Sequence, residues 1–207
     1  YACSFGCVKP NDHIPREVIC GLKKISKVSV RDENSLKILK KIICKPVKLV
    51  SDPTLLYDYT REEKVCPYKD FILIYSYQIN SEQIKEIRIF AEEKNLDTIA
   101  IAYNQPWCDK NIINISPFEW LGYFKRANYI ITSTFHGTIF SIKYNKQFVT
   151  LPNVYIDNKL ETILNITGLK NRVLYKTNNL EQLLDTNIYY NPINNKLSKF
   201  ILDSINF

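Results

Sequence analysis

The sequence contains no Met, only 2 His among 207 residues, 2 Trp and 5 Gly, and each scarcity removes a class of chemistry. Gly6, Gly21, Gly122, Gly137 and Gly168 are isolated, so neither a P-loop nor a G-x-G-x-x-G turn can be assembled from them. His13 and His136 form no H-x-x-x-H pair. Cys3, Cys7, Cys20, Cys44, Cys66 and Cys108 form no C-x-x-C, which leaves zinc without its usual ligand spacing. A chain this long and apolar needs no disulfide staples, so the expected state of the cysteines is reduced and mostly buried. The apolar runs at 71–75 and 98–103 fall far short of the roughly 18 residues of a membrane span. The opening residues do not read as a signal peptide. With Tyr1 first and Met absent, the chain is read as lacking an N-terminal part.

What is present suits a folded domain. Hydrophobic residues make up 45%, with 14 Tyr and 10 Phe, and the charged fraction is 24%, which excludes global disorder. The net charge of +7 is uneven: residues 1–69 carry 14 Lys/Arg against 8 Asp/Glu, residues 70–207 carry 14 against 13. Such a balance suits nucleic acid, an anionic membrane surface or a small anionic substrate. Lys37, Lys40, Lys41, Lys45 and Lys48 have no interleaved aromatic residues to stack bases, so they read as a solvated face and nucleic acid falls in rank.

Short β-rich runs alternate with amphipathic helical stretches, the pattern of an α/β protein with mainly parallel sheets. Helices are expected at 15–25, 32–43, 81–94, 117–126, 137–144, 159–166, 180–184 and 196–205. Strands are expected at 27–30, 46–50, 71–75, 98–102, 129–132 and 148–151. The polar stretch 57–69 lacks periodicity and contains Pro67, which makes it the linker candidate.

In open α/β sheets ligands lie beyond the carboxyl ends of the strands. Two such ends carry chemistry. At Ser29-Val30-Arg31-Asp32 a guanidinium on a rigid element can grip a carboxylate or phosphate with its fork, or simply pair with Asp32 or another neighbouring acid. At Ile131-Thr132-Ser133-Thr134-Phe135-His136-Gly137-Thr138 a strand runs into a helix whose first backbone N–H groups, at Gly137 and Thr138, form an anion site by geometry. There His136 can bind a phosphate and deliver a proton, or it can merely cap the helix. Gly137 allows close approach of a ligand. Asp52, in Ser51-Asp52-Pro53, ends another strand; it can act as a base, orient Arg31, or serve only the turn. His13 has no comparable context.

The segments Tyr1-Ala2-Cys3-Ser4-Phe5-Gly6, Ile25 through Asp32, Ser51 through Leu56 and, above all, Thr132 through Ile142 resemble the polysaccharide pyruvyl transferases in order and spacing, and Gly168 through Arg172 is similar to a later segment of that family. The resemblance implies two Rossmann-like domains of the GT-B type: residues 1–60 as the C-terminal part of the first, 61–69 as linker, 70–190 as the second, and 191–207 as a C-terminal helix. It implies transfer of the pyruvyl unit of phosphoenolpyruvate to a sugar of a surface or exopolysaccharide precursor as a ketal, in the cytoplasm or at the inner face of the membrane. The acceptor would be a sugar or a lipid-linked glycan, with no metal and no cofactor, peripheral membrane contact at most, and no nucleic-acid partner. Arg31 and His136 would be the catalytic, donor-binding pair, with Ser133, Thr134, Phe135, Gly137 and Thr138 completing the donor site and Asp52 in support. Where the family often has an acid just before the S/T-F-H-G box, this chain has Ser133. A glycosyltransferase using a nucleotide sugar and a non-catalytic member of the family are the alternatives.

Overall fold

The computed structural model describes residues 1–175 and 179–207. They form a mixed α/β protein with parallel sheets that divides into two compact units. The first comprises Tyr1–Tyr57, Val154–Lys170 and Asn191–Phe207; the second comprises Asp58–Asn153 and Asn171–Tyr190.

In the first unit, helix α1 (Arg16–Lys24) precedes strand β1 (Val28–Val30), helix α2 (Glu33–Ile42), strand β2 (Val47–Leu49) and the single turn α3 (Pro53–Leu56). β1 and β2 pair in parallel, Val28 opposite Val47 and Val30 opposite Leu49, and Cys3 bridges to Val30 on the other edge. The crossover between them is α2, capped by Asp32, whose Oδ1 accepts the Ser35 N–H at 2.7 Å. Val28, Val30, Leu39 and Ile43 form the core of this unit.

The second unit holds β3 (Phe71–Tyr75), α4 (Ser81–Glu93), β4 (Asp97–Ile101), β5 (Lys110–Ile112), α5 (Pro117–Arg126), β6 (Tyr129–Thr132), α6 (Phe135–Lys143) and β7 (Gln147–Thr150). The five strands are parallel in the order β5-β4-β3-β6-β7. The chain builds outward from β3 to β5 and then returns to lay β6 on the other side of β3, so the switch point of the sheet falls between β3 and β6. Alternation along β3 sends Ile72 and Ile74 into a core with Ile87, Phe90 and Leu180, while Tyr75 meets Trp120 and Phe124 of α5 on the opposite face. Capping boxes at Asn80/Gln83 and Ser116/Glu119 start α4 and α5.

Later chain divides between the units. Helix α7 (Asp157–Thr167) belongs to the first, where the Glu33 N–H donates to Thr162 Oγ1 at 2.9 Å and Gly168 closes the helix at φ 77°. Helix α8 (Leu180–Asp185) belongs to the second, and α9 (Tyr190–Ile205) returns to the first after its opening residue, where Ser204 Oγ accepts the Ser51 N–H at 2.8 Å.

These placements correct the expected boundaries. Residues 154–170 join the first unit because α7 packs on α2, and residues 191–207 are part of that unit rather than a separate appendage. The stretch 61–69 is not a free linker: the Lys64 N–H donates to the Phe118 carbonyl at 3.0 Å, and Tyr144 donates to the Glu63 carboxylate at 2.8 Å, so it straps α5 and α6. Strand β5 and turn α3 were not expected, α6 begins two residues before the expected 137, and α9 begins well before 196 because Pro192 falls in its first turn, where no N–H is needed. All six Cys are free thiols, but only Cys66 and Cys108 are buried; Cys3, Cys7, Cys20 and Cys44, all in the first unit, are exposed, against the expectation of mostly buried thiols. No described helix is long and apolar enough to cross a membrane.

Candidate functional site

The turn between β6 and α6 is built almost entirely of hydroxyls that satisfy one another. Thr132 Oγ1 donates to the Tyr75 carbonyl at 2.8 Å and accepts the Thr134 N–H at 3.1 Å, which leaves the Thr134 hydroxyl to donate to Thr132 Oγ1. Thr134 is the N-cap of α6, its Oγ1 accepting the Gly137 N–H at 2.9 Å. Thr138 Oγ1 reaches the Thr134 carbonyl and Thr150 Oγ1, and Ser141 Oγ donates to the Gly137 carbonyl. Ser133, Thr134, Phe135, Gly137 and Thr138 are all buried, whereas His136 is exposed, in the first turn of α6 with its ring centroid 5.2 Å from that of Phe135.

Two expectations change. The Gly137 and Thr138 N–H groups are not an open anion site, since the first is taken by the cap and the second donates to the Thr134 carbonyl. The glycine is required by packing rather than by a ligand: a Cβ at Gly137 would lie 2.1 Å from Thr132 Oγ1 and 2.7 Å from Thr134 Oγ1. The side chains of Ser133, Thr134 and Thr138 are thus a scaffold that holds His136 at the carboxyl edge of the sheet. Ser133 occupies the switch point itself, its Oγ accepting from Ser76 Oγ at 2.9 Å and from the Tyr77 N–H at 3.1 Å.

In the first unit, Arg31 follows β1 and its Nη1 meets Asp52 Oδ2 at 2.7 Å. The Asp52 side chain is 3% exposed, and its Oδ1 accepts from the Thr54 N–H and hydroxyl at 3.0 and 2.6 Å. Of the three roles open to Asp52, this geometry shows a held carboxylate that orients the arginine and also caps α3. Asp32 is engaged at the α2 N-terminus by the Ser35 amide.

Residues missed in the sequence complete the switch-point edge: Tyr75 and Tyr77 at the end of β3, Tyr103 after β4, and Gln105 beyond it. Burial pushes the Tyr75 and Tyr103 phenols up, so both stay protonated through the neutral range. The available signal was a tyrosine at or just after the ends of the apolar strands β3 and β4, at the edge where ligands of α/β sheets collect.

Comparison with protein families places residues 1–153 in a match to the family polysaccharide pyruvyl transferase. The chain belongs to that family. Within the matched stretch of this pyruvyl transferase family member lie Arg31, Asp52 and the whole hydroxyl scaffold around His136. The segment from Gly168 to Arg172 lies beyond it; there Arg172 is buried and donates to the Leu183 and Thr186 carbonyls at the end of α8. No curated protein sequence matches the chain. Among solved structures, that of Os79 from O. sativa in complex with UDP and deoxynivalenol-3-glucoside is similar with a TM-score of 0.47 and 10% identity, over 89% of this chain and 51% of that one. The chain spans about half the length of that protein.

Proposed function

We propose that this chain carries the donor site of a transferase that moves the pyruvyl unit of phosphoenolpyruvate onto two hydroxyls of a sugar, as a ketal, in the assembly of an exopolysaccharide or cell-envelope glycan. The observation that carries this reading is His136: an exposed imidazole on a rigid turn at the switch point of a parallel sheet, inside the stretch that matches the family. Phosphoenolpyruvate is an enol ester with a carboxylate at one end and a phosphate at the other. In this reading the imidazole of His136 takes the phosphate, and the fork of Arg31, oriented by Asp52, is suited to a carboxylate.

The chemistry needs two carbon–oxygen bonds formed and one broken. A first sugar hydroxyl adds to the central carbon while a proton goes to the methylene, which becomes the methyl group. The carbon–oxygen bond to phosphate then breaks, and the second hydroxyl closes the ketal, its proton leaving with the phosphate. Histidine suits the proton transfers because its ordinary pKa lies near neutrality. Protonated His136 also stabilises the departing phosphate.

The test is ligand-induced thermal stabilisation. Phosphoenolpyruvate should raise the melting temperature of the wild-type chain, and Arg31→Ala and His136→Ala should each abolish the shift, with Asp52→Asn reducing it. Undiminished stabilisation of both alanine variants would overturn the assignment of the pair.

A further inference from the structure

Tyr75, Tyr77 and Tyr103 converge where β3 and β4 end. The ring centroids of Tyr77 and Tyr103 are 4.3 Å apart at an interplanar angle of 48°, and those of Tyr75 and Tyr103 are 5.2 Å apart. Tyr75 is anchored below by Trp120, edge-on at 5.3 Å. Tyr77 remains 56% exposed. An aromatic ring left in solvent at the switch point of a doubly wound sheet stands where such sheets hold their ligands.

Exposed Tyr77 and half-buried Tyr103 are fixed to one framework. The Tyr77 N–H donates to Ser133 Oγ, three residues before His136, so the backbone of Tyr77 is tied to the turn that carries the histidine. The loop bearing Tyr103 is pinned to the residue before Tyr77: Gln105, buried, donates from Nε2 to the Ser76 carbonyl at 2.8 Å and accepts from Trp107 Nε1 at 3.0 Å. Asn111 takes both the N–H and the carbonyl of Gln105. Directly before Tyr103, Ala102 sits at φ 61° with the Tyr103 N–H bonded to the Ile101 carbonyl at 2.7 Å, a tight three-residue turn that an alanine adopts only under strain. Strain of this kind persists where surrounding structure imposes it, and here it sets the direction of Tyr103.

We propose that Tyr77 and Tyr103 form a stacking platform for a pyranose ring, the sugar acceptor of the reaction; the word acceptor rests on the functional reading above, whereas the platform itself rests on these contacts. A pyranose has one face of C–H groups that packs on an aromatic surface, and its hydroxyls then project from the edge of the stacked ring. That disposition is what ketal formation asks for, since two neighbouring hydroxyls must reach one carbon. A platform already held by hydrogen bonds adds little ordering cost on binding.

The experiment is saturation-transfer NMR on the whole chain with the methyl pyranosides of glucose, galactose, mannose and N-acetylglucosamine, and with uridine as the competing flat ligand. At least one pyranoside should receive saturation on its ring C–H protons. Tyr77→Ala should reduce that transfer about five-fold, and Tyr77→Trp should keep it. Phosphoenolpyruvate stabilisation measured on the same samples should be unaltered by Tyr77→Ala. Transfer to no pyranoside from the wild-type chain, equal transfer from Tyr77→Ala, or preference for uridine would each overturn the platform. Loss of phosphoenolpyruvate stabilisation in the wild-type chain instead counts against the transferase reading, while pyranoside transfer still decides the platform.

Discussion

At the residue scale, Gly137 separates two roles that a glycine beside a histidine can play. In an exposed helix, Gly→Ala stabilises by about 0.5–1 kcal/mol because alanine loses less backbone freedom on folding. Here the added Cβ meets Thr132 Oγ1 at 2.1 Å, within a hydroxyl group whose every hydrogen bond is committed. Gly137→Ala should therefore destabilise the protein, by roughly 2 kcal/mol as overpacking of a tight interior does. Urea denaturation checks the sign, and a more stable variant would show that the turn yields easily. The same residue explains why only part of the site was legible in the sequence. A strand end, a short polar turn and a helix start mark the place of His136, yet Ser133, Thr134 and Thr138 read as ligand-facing because residue type does not reveal that a β-to-α turn needs its own hydroxyls to satisfy its backbone. Asp52 was legible as a possible partner of Arg31 only as one role among several, because the contact spans 21 residues and needs β1 and β2 to pair first.

At the scale of elements, strands with continuous apolar character declared themselves: β3, β4, β6 and β7 lie between helices and are buried on both faces. Strand β5, with the sequence Lys-Asn-Ile, carries no such pattern, since it is a half-buried edge held mainly by its backbone pairing to β4. The strap at 61–69 was illegible for a related reason: part of its attachment is backbone to helix, through the Lys64 N–H and a close approach to Gly122. A Cβ at Gly122 would lie 1.9 Å from the Lys64 carbonyl oxygen, a contact no side-chain rotation relieves. Gly122→Ala should lift the strap from α5, breaking the Lys64 to Phe118 bond and loosening Glu63 from Tyr144 and Lys125. Trypsin should then cut after Arg61 and Lys64 well before the rest of the chain, whereas the wild-type strap should resist. Equal cleavage rates would mean that the strap is held elsewhere.

Over the whole molecule, burial of weak acids is concentrated in the second unit and sets how the protein responds to base. Burial pushes the Cys108 thiol and the Tyr123 phenol up to about 12, and it raises Cys66, Tyr75, Tyr103, Tyr144 and Tyr190 as well. Each of these groups keeps its proton in the folded chain after the unfolded chain has released it, so its contribution to stability is whole below its unfolded pKa, about 8.5 for Cys and about 10 for Tyr, and is lost as pH rises toward the folded value. Lys143 and Lys146 act in the opposite sense, because burial lowers them and the folded chain sheds protons that the unfolded chain retains up to about pH 10.4. The acids outnumber these lysines, and Cys108 begins to act before the tyrosines do. Stability should be level from neutrality to about pH 8.5 and then fall, at about 1.4 kcal/mol per pH unit for each proton released only on unfolding. Urea midpoints measured at intervals from pH 7 to pH 11 check this, and Cys108→Ala should flatten the first part of the descent relative to its own neutral value. A midpoint that rises through that range would show that the two lysines govern the alkaline response instead.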